Sequence, residues 1–448
     1  MATQLEQGMT SPPGAVRILG VYPQKQKDLY MQRIKVLGGR IDWRQWRRAA
    51  ALAASYCDDS PLHVTTRQDI ELHNVRGDDI AAVQQGLAEV SLSVLGAGGD
   101  TVRNVTVCAG CDLCAGGFDV LPLARLVDRH LEQQSMIRTL PRKFKISFSG
   151  CPKACAKPWL NDLGFIARPD GRFTLIGAGS LGPKPSLGIR LHESMPVEDV
   201  LPACLAAIEL FHEHGDRQNR RRARLRHVRE RLGDDPFKTE FDRRIAEVKE
   251  RGSWPRIDLP PARNDLTRQC RLQLPNGNIT PEQAMRLADA GEAVGASLRV
   301  DIEHGLNLYG PRPVQLPDDL AAMTRAPVIV ACPGCTTCPQ GLADCWATAD
   351  RIRHTFTGRD LSNVRIHVSG CPNNCAQSAA AQIGLVGMIR TIDGQPAPHY
   401  RLFTGGGNGE NDRLASPSQV LSADDVPNTI ETLCSHIKGP AERGQRTP

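Results

Sequence analysis

A chain of 448 residues with 40% hydrophobic and 23% charged residues is long enough for two or three domains with well-buried cores and too apolar to stay disordered. No apolar run approaches the ~20 residues of a membrane-spanning helix, so a helical membrane protein is excluded. The net charge of +6 is modest for this length and aromatics are only 4%, which argues against nucleic acid as a partner.

Residues 1–25, rich in Gln, Pro and Gly and without an apolar signal core, read as a tail of a cytoplasmic protein. LYMQRIKVLGGRI (29–41) alternates like a strand, WRQWRRAAALAASY (43–56) has a helical apolar face, and HVTTRQDIELHNV (63–75) alternates again. With a helix in DDIAAVQQGLAEVSL (78–92), residues 26–100 form a β-α-β-α unit, half of a ferredoxin-like sandwich. The order returns at 265–325 as strand and turn (271–280), helix (281–295), strand (297–310) and the short helix DDLAAM. An α+β fold of two repeats follows, each half-domain leading into an α/β domain, at 101–215 and 326–438. A helical basic linker lies at 216–264, with the boundary near residue 260, and a second tail at 439–448.

Fifteen cysteines without an export signal point to metal more than to disulfides. Ten cluster in CAGCDLC, SGCPKAC, CPGCTTC and SGCPNNC. Cys108, Cys114, Cys151 and Cys155 repeat the C-x5-C and C-x3-C spacing of Cys332, Cys338, Cys371 and Cys375, and each quartet supplies the four thiolates of a 4Fe-4S cluster. Zinc is the competing occupant. Cys111, Cys335 and Cys345 are unassigned spares; Cys57, Cys204, Cys270 and Cys434 read as small buried hydrophobes. Pro152 and Pro372 suit a first helical position, which predicts Cys155 and Cys375 one turn into a helix. Gly177, Gly179 and Gly182 match G-x-G-x-x-G, but Pro183 and Pro185 follow where a phosphate-binding helix would run. The run Arg217 to Arg231 reads as a solvated helix face or as a dock for an acidic electron donor.

TTRQDIELH (65–73), GDTVRNV (99–105), LPRKFK (140–145) and the cysteine motif ending in SGCPNNCAQ together resemble the sirohaem-dependent sulfite and nitrite reductase family, over residues 28–436. The resemblance implies one sirohaem enclosed by two homologous halves, with Cys375 bridging its iron to a 4Fe-4S cluster. It also implies Arg67 and His73 at the cofactor, and Arg33, Arg103, Lys143 and Lys145 holding the substrate anion. The intact first-half quartet is similar to the dissimilatory branch, which leaves room for a partner subunit.

Aligning the halves on their cysteines sets Arg33 against Arg271, Arg67 against Glu303, Arg103 against Pro327, Lys143 against Asn363 and Lys145 against Arg365. The second pocket has lost most of its positive field, so one catalytic centre is expected, with second-half thiolates facing first-half cations. The first-half cysteines would hold a structural or relay cluster. Sulfite reduction to sulfide is the expected activity, because both lysines are kept as in the family's sulfite reducers; nitrite reduction to ammonia is the alternative, and an iron-sulfur electron carrier the reading of another class. Electrons would come from a separate ferredoxin or flavoprotein.

Overall fold

Asp42 and Thr280 begin two equivalent helices, Trp43–Tyr56 and Pro281–Glu292, with the same capping box: each side chain accepts from the amide three residues on, at 2.7 and 3.1 Å, and Gln45 and Gln283 reach back to the cap amide. Trp46, Ala49, Ala50 and Ala53 recur at helical spacing and are buried. Trp46 Nε1 donates to Ala284 O at 2.9 Å and Trp43 Nε1 to Ala296 O at 2.7 Å, so the two helices pack on each other. A Cβ on Gly291 would stand 2.1 Å from the Trp43 ring, which reserves that position for glycine. The computed structural model describes residues 13–263, 265–357 and 364–435.

Each helix covers an antiparallel sheet that the other half completes. In the first sheet the order is Val21–Pro23, Leu29–Ile34, Ile70–Arg76, Leu62–Val64, and then Asn278–Ile279 from the second half. In its counterpart the order is Thr267–Gln273, Gly305–Gly310, Ser297–Val300, and then Arg40–Ile41 from the first half. One apolar core containing Ile34, Trp46 and Leu72 as well as Leu272, Leu287 and Leu306 runs through both half-domains.

Each α/β domain has a five-stranded sheet of the same design. Thr106–Val107 and Ile146–Ser149 are parallel, joined across the helix Leu121–Glu132; Leu163–Ala167 continues in parallel, and Phe173–Gly177 and Ile189–Met195 close the sheet antiparallel. The second domain repeats this with Val328–Ala331, Arg365–Ser369, Ile383–Ile392, Gln395–Thr404 and Ser416–Ser422, crossing over through Cys345–Thr355.

Several expectations are corrected. The N-terminal tail is shorter than 25 residues, because Pro13–Ile18 is helical and Val21–Pro23 pairs with Leu29–Ile34. The strands read at 29–41, 63–75 and 297–310 are each broken, by Leu37–Gly39, by residues 65–69 and by residues 301–304, and the second and third breaks carry Arg67 and Glu303. Residues 216–264 are not a free linker: Leu225–Leu232 and Asp234–Glu250 bury Leu225, Val228, Phe237, Phe241, Ile245 and Val248 in the first α/β core. The G-x-G-x-x-G segment leads to the strand Ile189–Met195 instead of a helix. The C-terminal tail at 439–448 lies outside the described residues.

Candidate active site

All four cysteine loops leave the carboxyl ends of the parallel strands, where open α/β sheets place their ligands. Cys108 and Cys332 follow Val107 and Ala331; Cys151 and Cys371 sit two residues past Ser149 and Ser369. The Gly370 amide donates to Cys332 Sγ at 3.2 Å, as the Gly150 amide does to Cys108 Sγ at 3.3 Å. The expected helices at Cys155 and Cys375 do not form. Ala154 and Lys157 (φ 54° and 55°), like Asn374 and Gln377 (φ 60° and 67°), adopt left-handed backbone, so each segment makes two successive tight turns. Ser149 and Ser369 hold these turns by accepting from the amides of Ala156 and Ala376.

The Cys375 thiol lies within electrostatic range of Cys332, Cys371 and Cys338, so the second quartet converges. Burial and those neighbours push it up to about 12 against the pull of Lys143. No three His, Cys, Asp or Glu side chains among the described residues are arranged to hold a single metal ion. Two of the spare cysteines are buried thiols behind the quartets. Cys345 Sγ is 4.0 Å from Cys332 Sγ, and Cys111 hydrogen-bonds Cys108 in the same place, so Cys111 matches Cys345 in space although it matches Cys335 in sequence.

Lys143 and Lys145 lie within electrostatic range of Cys375, and Arg103 and Arg67 within range of those lysines. Arg67 stands in the loop between Leu62–Val64 and Ile70–Arg76. Thr65 Oγ1 accepts from the Arg67 and Asp69 amides there, and Gln68, in left-handed backbone, bonds Val107 O, Val300 O and the Val107 amide at 2.8 to 2.9 Å. Asn104 Nδ2 donates to Arg67 O at 3.0 Å, and the Arg67 guanidinium donates to Asn161 Oδ1 and Asn104 O. Thr66 Oγ1 donates to Cys375 O at 3.1 Å, joining this loop to the cluster loop. Lys143 and Lys145 alternate with buried Phe144 just before Ile146–Ser149, and the Lys145 amide donates to Asp162 Oδ2 at 2.8 Å. Arg103 donates to Gly99 O, Ala97 O and Tyr22 Oη.

Arg67, Arg103, Lys143 and Lys145 form no salt bridge among the described residues, whereas nearby Arg33, Arg40 and Arg224 all do. Burial is the largest influence on each. It pushes Lys143 down to about 7, helped by Arg103 and Arg224 and opposed by Cys375; it holds Lys145 well below the usual amine range and Arg67 at about 10. Yet all four side chains keep part of their surface accessible. Cations largely removed from bulk water, not sealed by protein and without a salt bridge fit a carboxylate-rich tetrapyrrole and an anionic substrate.

Arg33 does not belong to this unpaired set. Its guanidinium is bound by Glu71 at 2.7 and 2.8 Å and by Ala97 O, so its charge is neutralised on the spot and it supports Arg103, which shares Ala97 O. His73 lies farther along the same strand. Its Nε2 is 3.1 Å from Glu71 Oε2, its Nδ1 is buried without a partner, and its ring meets His63 edge-on. Asp69, fully buried between Arg33, Arg67 and Arg103, is raised to about 6 because burial outweighs those charges.

Sequence reasoning missed Arg224. It lies in the basic run, yet it is buried, paired with Asp162 at 2.6 Å, and close enough to depress both lysines. The apolar Ala223 and Leu225 on either side of it were the available signal that this part of the run turns inward. Arg221 and Arg222 are exposed, and Arg220 pairs with Asp100.

At the equivalent place in the other half, Glu303 replaces Arg67, and His304 (φ 61°) repeats the left-handed turn of Gln68 (φ 64°). Glu303 accepts from Lys157 Nζ at 3.0 Å and from Arg365 Nε at 3.2 Å. This pocket is internally neutralised. Asn363, the counterpart of Lys143, lies outside the described residues.

Two duplicated cysteine cradles, one facing a cage of unpaired cations, define a protein that holds an iron-sulfur cluster beside an anion-binding cofactor cavity. The chain belongs to the nitrite and sulphite reductase family: the model of the nitrite and sulphite reductase 4Fe-4S domain matches residues 98–249 and 323–443, and that of the nitrite/sulfite reductase ferredoxin-like half domain matches 22–90. Its cofactors are therefore sirohaem and a 4Fe-4S cluster. Similar proteins include the chloroplastic ferredoxin–nitrite reductase of Arabidopsis thaliana, 28% identical over 95% of this chain and 80% of that protein. The assimilatory ferredoxin-dependent nitrite reductase of Haloferax mediterranei is also 28% identical, over 95% and 82%. The Mycobacterium tuberculosis NirA structure superposes with a TM-score of 0.81 at 19% identity, over 97% of this chain and 88% of that one, so the fold is the same. No helix among the described residues is long and apolar enough to cross a membrane.

Proposed function

We propose that this protein reduces nitrite to ammonia with six electrons delivered one at a time by ferredoxin. The observation that carries the reductase reading is the group of Arg67, Arg103, Lys143 and Lys145, without salt bridges among the described residues and with both lysines in electrostatic range of Cys375. The choice of nitrite over sulfite, the reverse of the expectation from the two lysines, is supported by similar proteins named as ferredoxin–nitrite reductases.

Sirohaem, when bound, would supply the iron chemistry, and Cys332, Cys338, Cys371 and Cys375 would hold the cluster that feeds it electrons. Arg67 and Arg103 orient the substrate oxygens through fixed guanidinium donors. Lys143, held near 7 chiefly by burial, gives up a proton readily at neutral pH and is the first proton donor as oxygens leave as water. Lys145 adds a second donor, and the pair is what favours sulfite as the second reading. Arg221 and Arg222 offer an exposed basic surface for an acidic donor. Steady-state rates with reduced ferredoxin test the assignment: kcat/KM at least tenfold higher for nitrite is expected, and a preference for sulfite overturns it.

A further inference from the structure

The first-half quartet has every feature of the catalytic cradle except the cage. The thiols converge: Cys114 Sγ and Cys151 Sγ stand 3.5 Å apart, a contact that a cubane would part and that zinc or a disulfide would keep, and Cys155 lies within electrostatic range of both. The amide bond onto Cys108, the serine bracket at Ser149 and the buried fifth thiol Cys111 each repeat a second-half counterpart. The left-handed turns are kept as well, but on Ala154 and Lys157 in place of Asn374 and Gln377. Neither residue is favoured in left-handed backbone as asparagine is, so the turn is held by its surroundings and not by its own residues.

The loop is also fixed by one arginine from each half. Asp112, between Cys111 and Cys114, is gripped by Arg40 and by buried Arg299, each at 2.6 Å, and Arg299 also donates to Ala109 O at 3.0 Å. The tetrapyrrole side is built differently. Glu303 occupies the place of Arg67, with Lys157 at 3.0 Å and Arg365 at 3.2 Å saturating both carboxylate oxygens. A cofactor rich in carboxylates meets there a carboxylate and cations that are already spent.

We propose that Cys108, Cys114, Cys151 and Cys155 hold a second 4Fe-4S cluster with no sirohaem beside it. A disulfide between Cys114 and Cys151 and a zinc ion are the rival fates of the same thiols.

Quantifying iron, acid-labile sulfide and sirohaem on anaerobically purified full-length protein tests this. About nine irons and eight sulfides with one sirohaem are expected, since each cubane brings four irons and sirohaem one. Changing Cys114→Ser with Cys151→Ser should remove about four irons and four sulfides while sirohaem absorbance stays. That retention also reports that the variant folds. The proposal rests on the family's cluster chemistry but not on the substrate. About five irons with one sirohaem, zinc in place of iron, or a wild-type disulfide overturns it and leaves the proposed reduction standing. About eight irons without sirohaem supports it and overturns the proposed reduction instead.

Discussion

Changing Glu303→Gln removes the charge that Lys157 and Arg365 share while keeping nearly the same shape. The Lys157 side chain is 2% exposed and its partner 11%, so the pair is effectively buried, whereas Arg365 is 40% exposed and its bond to Glu303 adds little. Removing one partner of a buried pair strands the other charge, at a cost of roughly 3–5 kcal/mol. Because the glutamine carbonyl still accepts from Lys157, about 3 kcal/mol is expected. Urea unfolding followed by tryptophan fluorescence measures it. The double change Lys157→Met with Glu303→Met should recover most of the loss, since an apolar pair of similar volume replaces buried ions at little cost.

The pH dependence gives a second readout. Burial works to raise the Glu303 carboxyl, but Lys157 and Arg365 outweigh it and hold the group well below the usual range. A depressed folded-state value means the stabilisation is complete above the unfolded value of about 4.3 and fades as pH falls toward the folded one. The glutamine variant should lose that part of the acid limb. A cost under about 1 kcal/mol, or no recovery in the double variant, would refute the picture of a self-neutralised second pocket.

Cys375→Ser should abolish turnover and remove both the sirohaem absorbance and about five irons, four from the cluster and one from sirohaem, as optical spectra and iron assay would report. Lys145→Met should keep both cofactors and lower kcat/KM for nitrite about 100-fold, the scale of a lost proton donor; unchanged kinetics would dismiss its role. Gln68→Leu removes three buried hydrogen bonds between the Arg67 loop and the sheets, so a loss of about 3 kcal/mol is expected in denaturant titration, with a raised nitrite KM. Replacing Arg221 and Arg222 with Gln should raise the ferredoxin KM and flatten its salt dependence; a profile matching the parent removes the docking assignment.

The repeated architecture was legible because it rests on short-range signals. The capping residues Asp42 and Thr280 and the apolar stripe of Trp43–Tyr56 fix helices locally. The cysteine spacing likewise declared the cradles. What could not be read was whether a charged residue meets a partner from a distant segment. Arg33 and Arg67 look alike in sequence, yet Glu71 neutralises the first while the second forms no salt bridge among the described residues. Arg224 seemed one of many surface arginines until Asp162 drew it inside. The turns at Cys155 and Cys375 escaped notice for a related reason: Pro after Cys fits a helix start and a tight turn equally, and the cradle decides between them.

The exchange of Arg40–Ile41 for Asn278–Ile279 between the half-domain sheets constrains how such a protein can change. A half severed near residue 260 would have a sheet missing its edge and a core cut through, so the halves must persist as a pair. Within that bond each is free to lose chemistry without losing structure. A duplicated protein whose copies are interlocked in this way can let one pocket fill with its own ion pairs while the other keeps its cage. Inactivating one copy becomes a route to specialisation, not to collapse.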